Sequence, residues 1–117
     1  MKPLQDRIAV VAGATRGAGR GIALALGEAG ATVYCTGRSV RGNPSPYKRP
    51  ETIDETADII NAAGGTAVAV RVDHTVEREV EALFGRVEKE HGRLDVLVNS
   101  IAGEEPMMTQ WVSFWKT

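Results

Sequence analysis

The string Gly13-Ala14-Thr15-Arg16-Gly17-Ala18-Gly19 carries the densest chemical signal in the chain. It follows a β-branched apolar run and precedes residues at helical spacing, so it reads as a strand-to-helix turn. Glycines at such a turn let a ligand's phosphates approach main-chain amides at a helix N-terminus, where the helix dipole favours an anion. The chemistry implied is a cradle for a nucleotide pyrophosphate. A triphosphate-binding P-loop requires Gly-x-x-x-x-Gly-Lys followed by Ser or Thr, and the chain has no such string. The fingerprint Gly-x-Gly-x-x-Gly also fails, because Ile22 stands at the third position after Gly19. The spacing present is Gly-x-x-x-Gly-x-Gly.

The elements that must position this turn alternate between short apolar runs and helical stretches, as in βαβ units. The pattern predicts a first strand over Arg7 to Ala12 and a helix from near Gly17 to a stop around Gly30, since glycine is favoured just past a helix end. A second strand is predicted over Ala31 to Thr36, followed by a basic loop from Gly37 to Pro50 whose prolines oppose regular structure. Thr52 and Glu55 have capping-box spacing ahead of a helix through Ile53, Ala57 and Ile60 that ends at Gly64 and Gly65. A third strand is predicted over Thr66 to Val72. A helix through Val76, Val80, Leu83 and Val87 then stops at Gly92, and a fourth strand covers Leu94 to Asn99. Near-continuous apolar strands predict a parallel sheet covered on both faces, an α/β doubly wound architecture.

Composition narrows the classes. The 117 residues carry 14 basic and 15 acidic side chains, a formal charge of −1 that offers no global field for nucleic acid or anionic lipid. No apolar run approaches the roughly 20 residues of a membrane helix. One cysteine, Cys35, excludes an intramolecular disulfide framework and a multi-thiolate metal site, and His74 and His91 assemble no metal set, so no metal is expected. The expected compartment is the cytosol.

The glycine turn resembles that of the short-chain dehydrogenase/reductase family, here as Ala12-Gly13-Ala14-Thr15-Arg16-Gly17-Ala18-Gly19 with Ala12 where threonine is common. Further strings similar to the family's follow in order: Thr36-Gly37-Arg38, Val72-Asp73, and Leu94-Asp95-Val96-Leu97-Val98-Asn99-Ser100. Glycines serving only helix-sheet packing would explain one of these strings but not four in register. The resemblance covers nearly the whole chain and implies a Rossmann-type sheet of strand order 3-2-1-4. It also implies a small-molecule substrate and, in the full-length protein, homo-oligomerisation.

The resemblance assigns cofactor contacts to Gly13, Thr15, Arg16, Gly17, Ala18, Gly19, Arg38, Ser39, Asp73, His74, Asn99, Ser100 and Ile101. In dinucleotide sites an acid after the second strand bonds the ribose 2′-hydroxyl, whereas an arginine accommodates a 2′-phosphate. The acid of NAD-preferring relatives would fall at Gly37, and Arg38 comes next. A guanidinium can grip a phosphate through two hydrogen bonds, so NADP(H) is expected over NAD(H). Asp73 resembles the family position whose carboxylate accepts from the adenine amine, and a cap on the next helix is its competing or additional role. His74 is expected to contribute backbone beside the cofactor. Asn99 resembles the residue that holds the crevice near the ribose. Asn99-Ser100-Ile101-Ala102-Gly103 is one residue longer than the family's usual Asn-Asn-Ala-Gly, and its Ser-Ile-Ala resembles the divergent enoyl reductase branch.

The family's proton donor lies in Tyr-x-x-x-Lys. Tyr34 is followed four residues on by Arg38 and Tyr47 by Glu51, so no catalytic residue carries over. A bare Val- and Leu-rich fourth strand and the crowding of Trp111, Phe114 and Trp115 near Thr117 lead to one expectation about extent: residues 1–117 are the N-terminal part of a single dinucleotide-binding domain whose later strands and helices this chain lacks. The expected function is the NADP(H)-binding portion of an oxidoreductase acting on a small carbonyl or alcohol. The alternatives are a non-catalytic dinucleotide-binding or scaffold protein ending at residue 117 and an S-adenosylmethionine-dependent methyltransferase fragment. The last can use Gly17-Ala18-Gly19-Arg20-Gly21 but wants an acid where Gly37-Arg38 stands.

Overall fold

A computed structural model of the chain describes residues 2–15, 17–38 and 51–100. Expectations for Arg16, Ser39, Ile101, the rest of the basic loop through Pro50 and the aromatic end lie outside these residues. Strand β1 (Ile8–Ala12) leads to helix α1 (Gly17–Glu28) and strand β2 (Thr32–Gly37). Helix α2 (Ile53–Ala62), strand β3 (Thr66–Arg71), helix α3 (Glu77–His91) and strand β4 (Val96–Asn99) follow.

The four strands pair in parallel in the order β3-β2-β1-β4, as the sequence predicts. Because strand side chains alternate between faces, each strand supplies two separate cores. Ala9, Val11, Val33 and Cys35 pack on one face with Ala23 of α1 and Ala57 and Ile60 of α2. Ile8, Val10 and Tyr34 pack on the other with Leu83 and Val87 of α3. The chain moves outward from β1 to β3 and then crosses back to β4, and crossovers of constant hand put the returning helix on the opposite face. Every residue of β1 is therefore buried.

Element ends shift from the pattern by one or two residues, for identifiable reasons. Strand β2 begins at Thr32 because the Ala31 amide closes the end of α1 on Leu26, and it runs on to Gly37, which stands level with Arg71 of β3. Strand β4 begins at Val96 rather than Leu94. Ahead of it, Asp95 joins β1 through its side chain as well as its amide: the Ile8 amide donates to Asp95 Oδ2 at 2.8 Å, and the Asp95 amide donates to the Ile8 carbonyl at 2.9 Å. Arg93 and the Ile8 amide hold the Asp95 carboxyl below its usual range, and Arg7 adds a second cation at 3.6 Å. The predicted cap on α2 is present, with Thr52 Oγ1 accepting from the Glu55 amide at 3.0 Å.

Helices α1 and α2 meet at a narrow seam. A Cβ placed on Gly27 would lie 2.6 Å from Ile60 Cγ2, and one on Gly65 would lie 2.8 Å from the same methyl. Ile60 is a stiff, β-branched side chain and almost fully buried, so it has no room to yield. By contrast, a Cβ on Gly21 of the same α1 helix meets nothing within 4 Å. Gly27→Ala should therefore destabilise by about 1–3 kcal/mol through overpacking. Gly21→Ala should stabilise by about 0.5–1 kcal/mol through lower backbone entropy in the unfolded helix. Urea denaturation of the two variants checks the contrast, and equal effects would contradict the seam.

Candidate functional site

The parallel register brings the carboxyl ends of the strands level. Ala12 stands opposite both Thr36 and Asn99, and Thr36 stands opposite Val70. The glycine turn, Gly37-Arg38, Asp73-His74 and Ser100 consequently emerge from one end of the sheet. The Gly13 and Ala14 amides both donate to the Thr36 carbonyl at 3.0 Å, which ties the turn to β2. The Ser100 amide donates to the Ala12 carbonyl at 2.9 Å, which ties the exit of β4 to the same turn.

Three glycines in the turn are required for different reasons. Gly13 and Gly17 have φ of 87° and 58°, in the left-handed region that side chains disfavour. Gly19 has to be bare because a Cβ there would lie 1.9 Å from the Gly13 carbonyl oxygen and 3.2 Å from Ser100 Oγ. Helix α1 thus starts in contact with the end of β1. A Cβ on Gly17 would meet nothing within 4 Å, so open space lies beside the first turn, where helical amides have no intrahelical acceptor. Gly17 and Ala18 present small, exposed surface at the positive end of the helix dipole, with Gly19 buried behind them. Main-chain donors beside open space fit a phosphate group.

Next to this cradle, Gly37 and Arg38 leave β2. A Cβ on Gly37 would lie 2.8 Å from Thr15 Oγ1 and 3.2 Å from Ile53 Cγ2, so the position has no room for a side chain. Arg38 is half-buried and lies near enough to Asp73 to act on its titration. Partial burial pushes the Asp73 carboxyl up, but the Thr75 hydroxyl and amide, together with Arg38 and Arg71, outweigh it and hold the carboxyl below its usual range. Asp73 Oδ1 accepts from the Thr75 amide at 2.9 Å and from the Thr75 hydroxyl at 2.6 Å. This corrects the expectation that Asp73 caps α3. The cap residue is Val76, three positions on, and Asp73 Oδ1 serves its own turn instead.

His74 turns its ring inward. It is 6% exposed, and Nε2 lies 2.8 Å from Thr36 Oγ1. The Thr36 hydroxyl donates to the Val11 carbonyl at 3.3 Å, which leaves the imidazole Nε2–H as donor to Thr36. Burial lowers the His74 pKa to about 4 against the opposing pull of Asp73 and Glu79. The ring is therefore neutral at physiological pH and structural in its contacts.

Sequence reasoning missed two groups. One is the side chain of Arg20, which joins the glycine turn to the start of α2. It had one visible signal: a cation in the first turn of a helix stands against the helix dipole. The other is Tyr34, whose hydroxyl bonds Glu90 Oε1 and lies 2.8 Å from His91 Nε2. Both partners close α3, which runs back across the sheet, so this cluster lies toward the end opposite the glycine turn. Burial first, then the Glu90 hydrogen bond and charge, push the Tyr34 hydroxyl up to about 12.

With this geometry in place, the likenesses to known proteins are specific. The family model described as short chain dehydrogenase matches residues 7–114. The chain is 44% identical over 117 residues to mouse (Mus musculus) dehydrogenase/reductase SDR family member 1, covering 97% of this chain and 34% of that protein. It superposes on the crystal structure of a metagenomic short-chain oxidoreductase in complex with NADP with a TM-score of 0.73 and 37% identity, covering 86% of this chain and 41% of that one. A hydroxysteroid dehydrogenase from Escherichia coli gives a TM-score of 0.73 at 31% identity, covering 86% and 38%. The chain thus spans about a third of the length of the curated relatives it matches.

The buried imidazole sets a pH dependence. An unfolded histidine takes up a proton near its ordinary pKa of about 6.5, whereas folded His74 does so only near 4, so the unfolded state binds more protons between these values. Stability should fall as pH drops through this window, by about 2 kcal/mol from pH 7 to pH 5. Urea midpoints at the two pH values for the wild type and His74→Gln measure it. The variant should lose less on acidification, and an identical loss would show that His74 does not carry the effect.

Proposed function

The chain belongs to the short chain dehydrogenase family, and on that premise we propose that it is the cofactor-holding part of an oxidoreductase that moves hydride between NADP(H) and a small carbonyl or alcohol substrate. In this reading residues 1–117 are the N-terminal part of a single dinucleotide-binding domain. The nicotinamide ring supplies the hydride chemistry. The residues of this chain bind and orient.

The glycine turn would take the pyrophosphate on the amides that open α1, with Arg16 and Thr15 at its side. Arg38, with Ser39, would grip the 2′-phosphate, and Asp73 would accept from the adenine amine, with the His74 main chain beside it. Asn99, Ser100 and Ile101 would line the ribose and nicotinamide end of the crevice at the strand-order reversal. Among the described residues no tyrosine is placed to donate a proton there, since the Tyr34 hydroxyl is engaged by Glu90 and His91. We assign no catalytic residue. A single buried thiol, Cys35, is compatible with a cytosolic setting, and self-association of the full-length protein belongs to the same proposal.

The observation that carries the NADP(H) preference is the pairing of Gly37 with Arg38. The acid that would bond a free 2′-hydroxyl has no side-chain space at Gly37, where Thr15 and Ile53 close the position. Arg38 beside it supplies the positive charge that a 2′-phosphate needs. The ribose end of an S-adenosylmethionine site wants an acid at this point, which disfavours the methyltransferase reading.

Fluorescence titration with NADPH, NADH and S-adenosylmethionine tests the proposal, with NADPH expected to bind tightest. Arg38→Ala should weaken NADPH by about 10- to 100-fold, the scale of a lost charged hydrogen bond, and change NADH little. Equal affinity of the wild type for NADPH and NADH would refute the preference. Gly37→Asp should weaken NADPH without creating tight NADH binding, because the new side chain meets Thr15 and Ile53 instead of a ribose. A switch to NADH would show that the position is open.

A further inference from the structure

Arg20 stands in the first turn of α1 with its side chain only 19% exposed. Among the described residues, its guanidinium contacts lead to the glycine turn or to the start of α2. Nε donates to the Thr15 carbonyl at 3.1 Å and to Thr56 Oγ1 at 2.9 Å. One terminal nitrogen donates to the Thr52 carbonyl at 3.3 Å, and the other pairs with Glu55 at 2.7 Å. The fully buried Thr56 hydroxyl donates in turn to the Ala14 carbonyl at 2.8 Å. Two consecutive carbonyls of the turn, Ala14 and Thr15, are thus held by two side chains that hold each other.

The consequence follows from peptide geometry. In a planar trans peptide the N–H points opposite to the C=O. Drawing the Ala14 carbonyl toward Thr56 turns the Thr15 N–H away from α2, and holding the Thr15 carbonyl fixes the following peptide plane in the same way. We infer that Arg20 and Thr56 are positioning residues that aim the main-chain donors of the glycine turn at the cofactor's pyrophosphate without touching it. This inference rests on the cofactor reading above. It also accounts for a cation held at the positive end of a helix: Glu55 offsets the charge, while the planar fork of donors engages several acceptors together. A lysine would keep the charge and lose the fork.

The test compares two probes on the full chain. NADPH uses the pyrophosphate site, whereas adenosine 2′-monophosphate carries the adenine and 2′-phosphate and has no pyrophosphate. Arg20→Ala and Thr56→Val should each weaken NADPH and NADH by a common factor of about ten, the scale on which outer-shell partners act on a bound group. Both variants should leave adenosine 2′-monophosphate affinity within about twofold of wild type. Thr56→Ser should restore NADPH binding, and Arg20→Lys should not. Wild-type NADPH affinity in Arg20→Ala would overturn the inference while leaving the cofactor reading intact. Equal weakening of both probes would also overturn it, by showing a general loss of structure. A wild type that binds neither NADPH nor NADH would overturn the cofactor reading and this inference with it.

Discussion

The contact between the Gly13 carbonyl and the bare α-carbon of Gly19 is the constraint on which the rest of the site depends. A side chain at position 19 would overlap that oxygen, so the last residues of β1 and the first turn of α1 can meet only through glycine. This closeness puts the amides that open α1 directly over the end of the sheet. It also brings Ser100, leaving β4, against the same point, so that both sides of the β1–β4 crevice share one hub. The fully buried β1 strand gives this hub a rigid base, with packed cores above and below it.

Charge is distributed along the sheet according to the same geometry. At the carboxyl ends of the strands Arg38, Arg71 and Asp73 cluster, and Glu79 joins them by accepting from the Asp73 amide at 2.9 Å and lying 3.8 Å from Arg71. In the proposed reading, Arg38 beside the bare Gly37 is the cation that would receive the cofactor's second anionic group. At the opposite ends Arg7, Arg93 and Asp95 form a separate group whose main-chain bonds join β4 to β1. The second group sets strand register, whereas the first surrounds the positions, Arg38 and Asp73, that the proposed function assigns to the cofactor. Arg20 sits between cradle and fold: it makes the orientation of the turn depend on α2, which packs on the same sheet face as α1.

Much of the architecture was legible from the residues because its causes are local or periodic. The apolar runs marked all four strands to within two residues, Gly92 closed α3 with a left-handed cap as expected, and Thr52 capped α2. The strand order followed from the family resemblance that the spaced motifs carry. The discrepancies come from side chains that reach across sequence. Asp95 bonds an amide 87 residues away, Thr56 a carbonyl 42 residues away, and Arg20 a hydroxyl 36 residues away, and no local pattern records such pairings. Asp73 could be singled out by its string but not its partner, because an Asx-type turn to Thr75 and a helix cap use the same residue types. Likewise, Gly37 was visible as the lack of an acid, while the reason an acid cannot enter became visible only with Thr15 and Ile53 in place.

Family membership, the parallel sheet and the open glycine turn converge on one central claim, that the amides opening α1 hold a dinucleotide pyrophosphate. Amide chemical-shift mapping of the isotope-labelled full chain during titration with NADPH tests it most directly. The account predicts the largest perturbations at the Thr15, Gly17, Ala18 and Gly19 amides, with a second group at Arg38 and Asp73. Perturbations that spare the glycine turn and gather instead around Tyr34, Glu90 and His91, or spread without focus over the sheet, would contradict it.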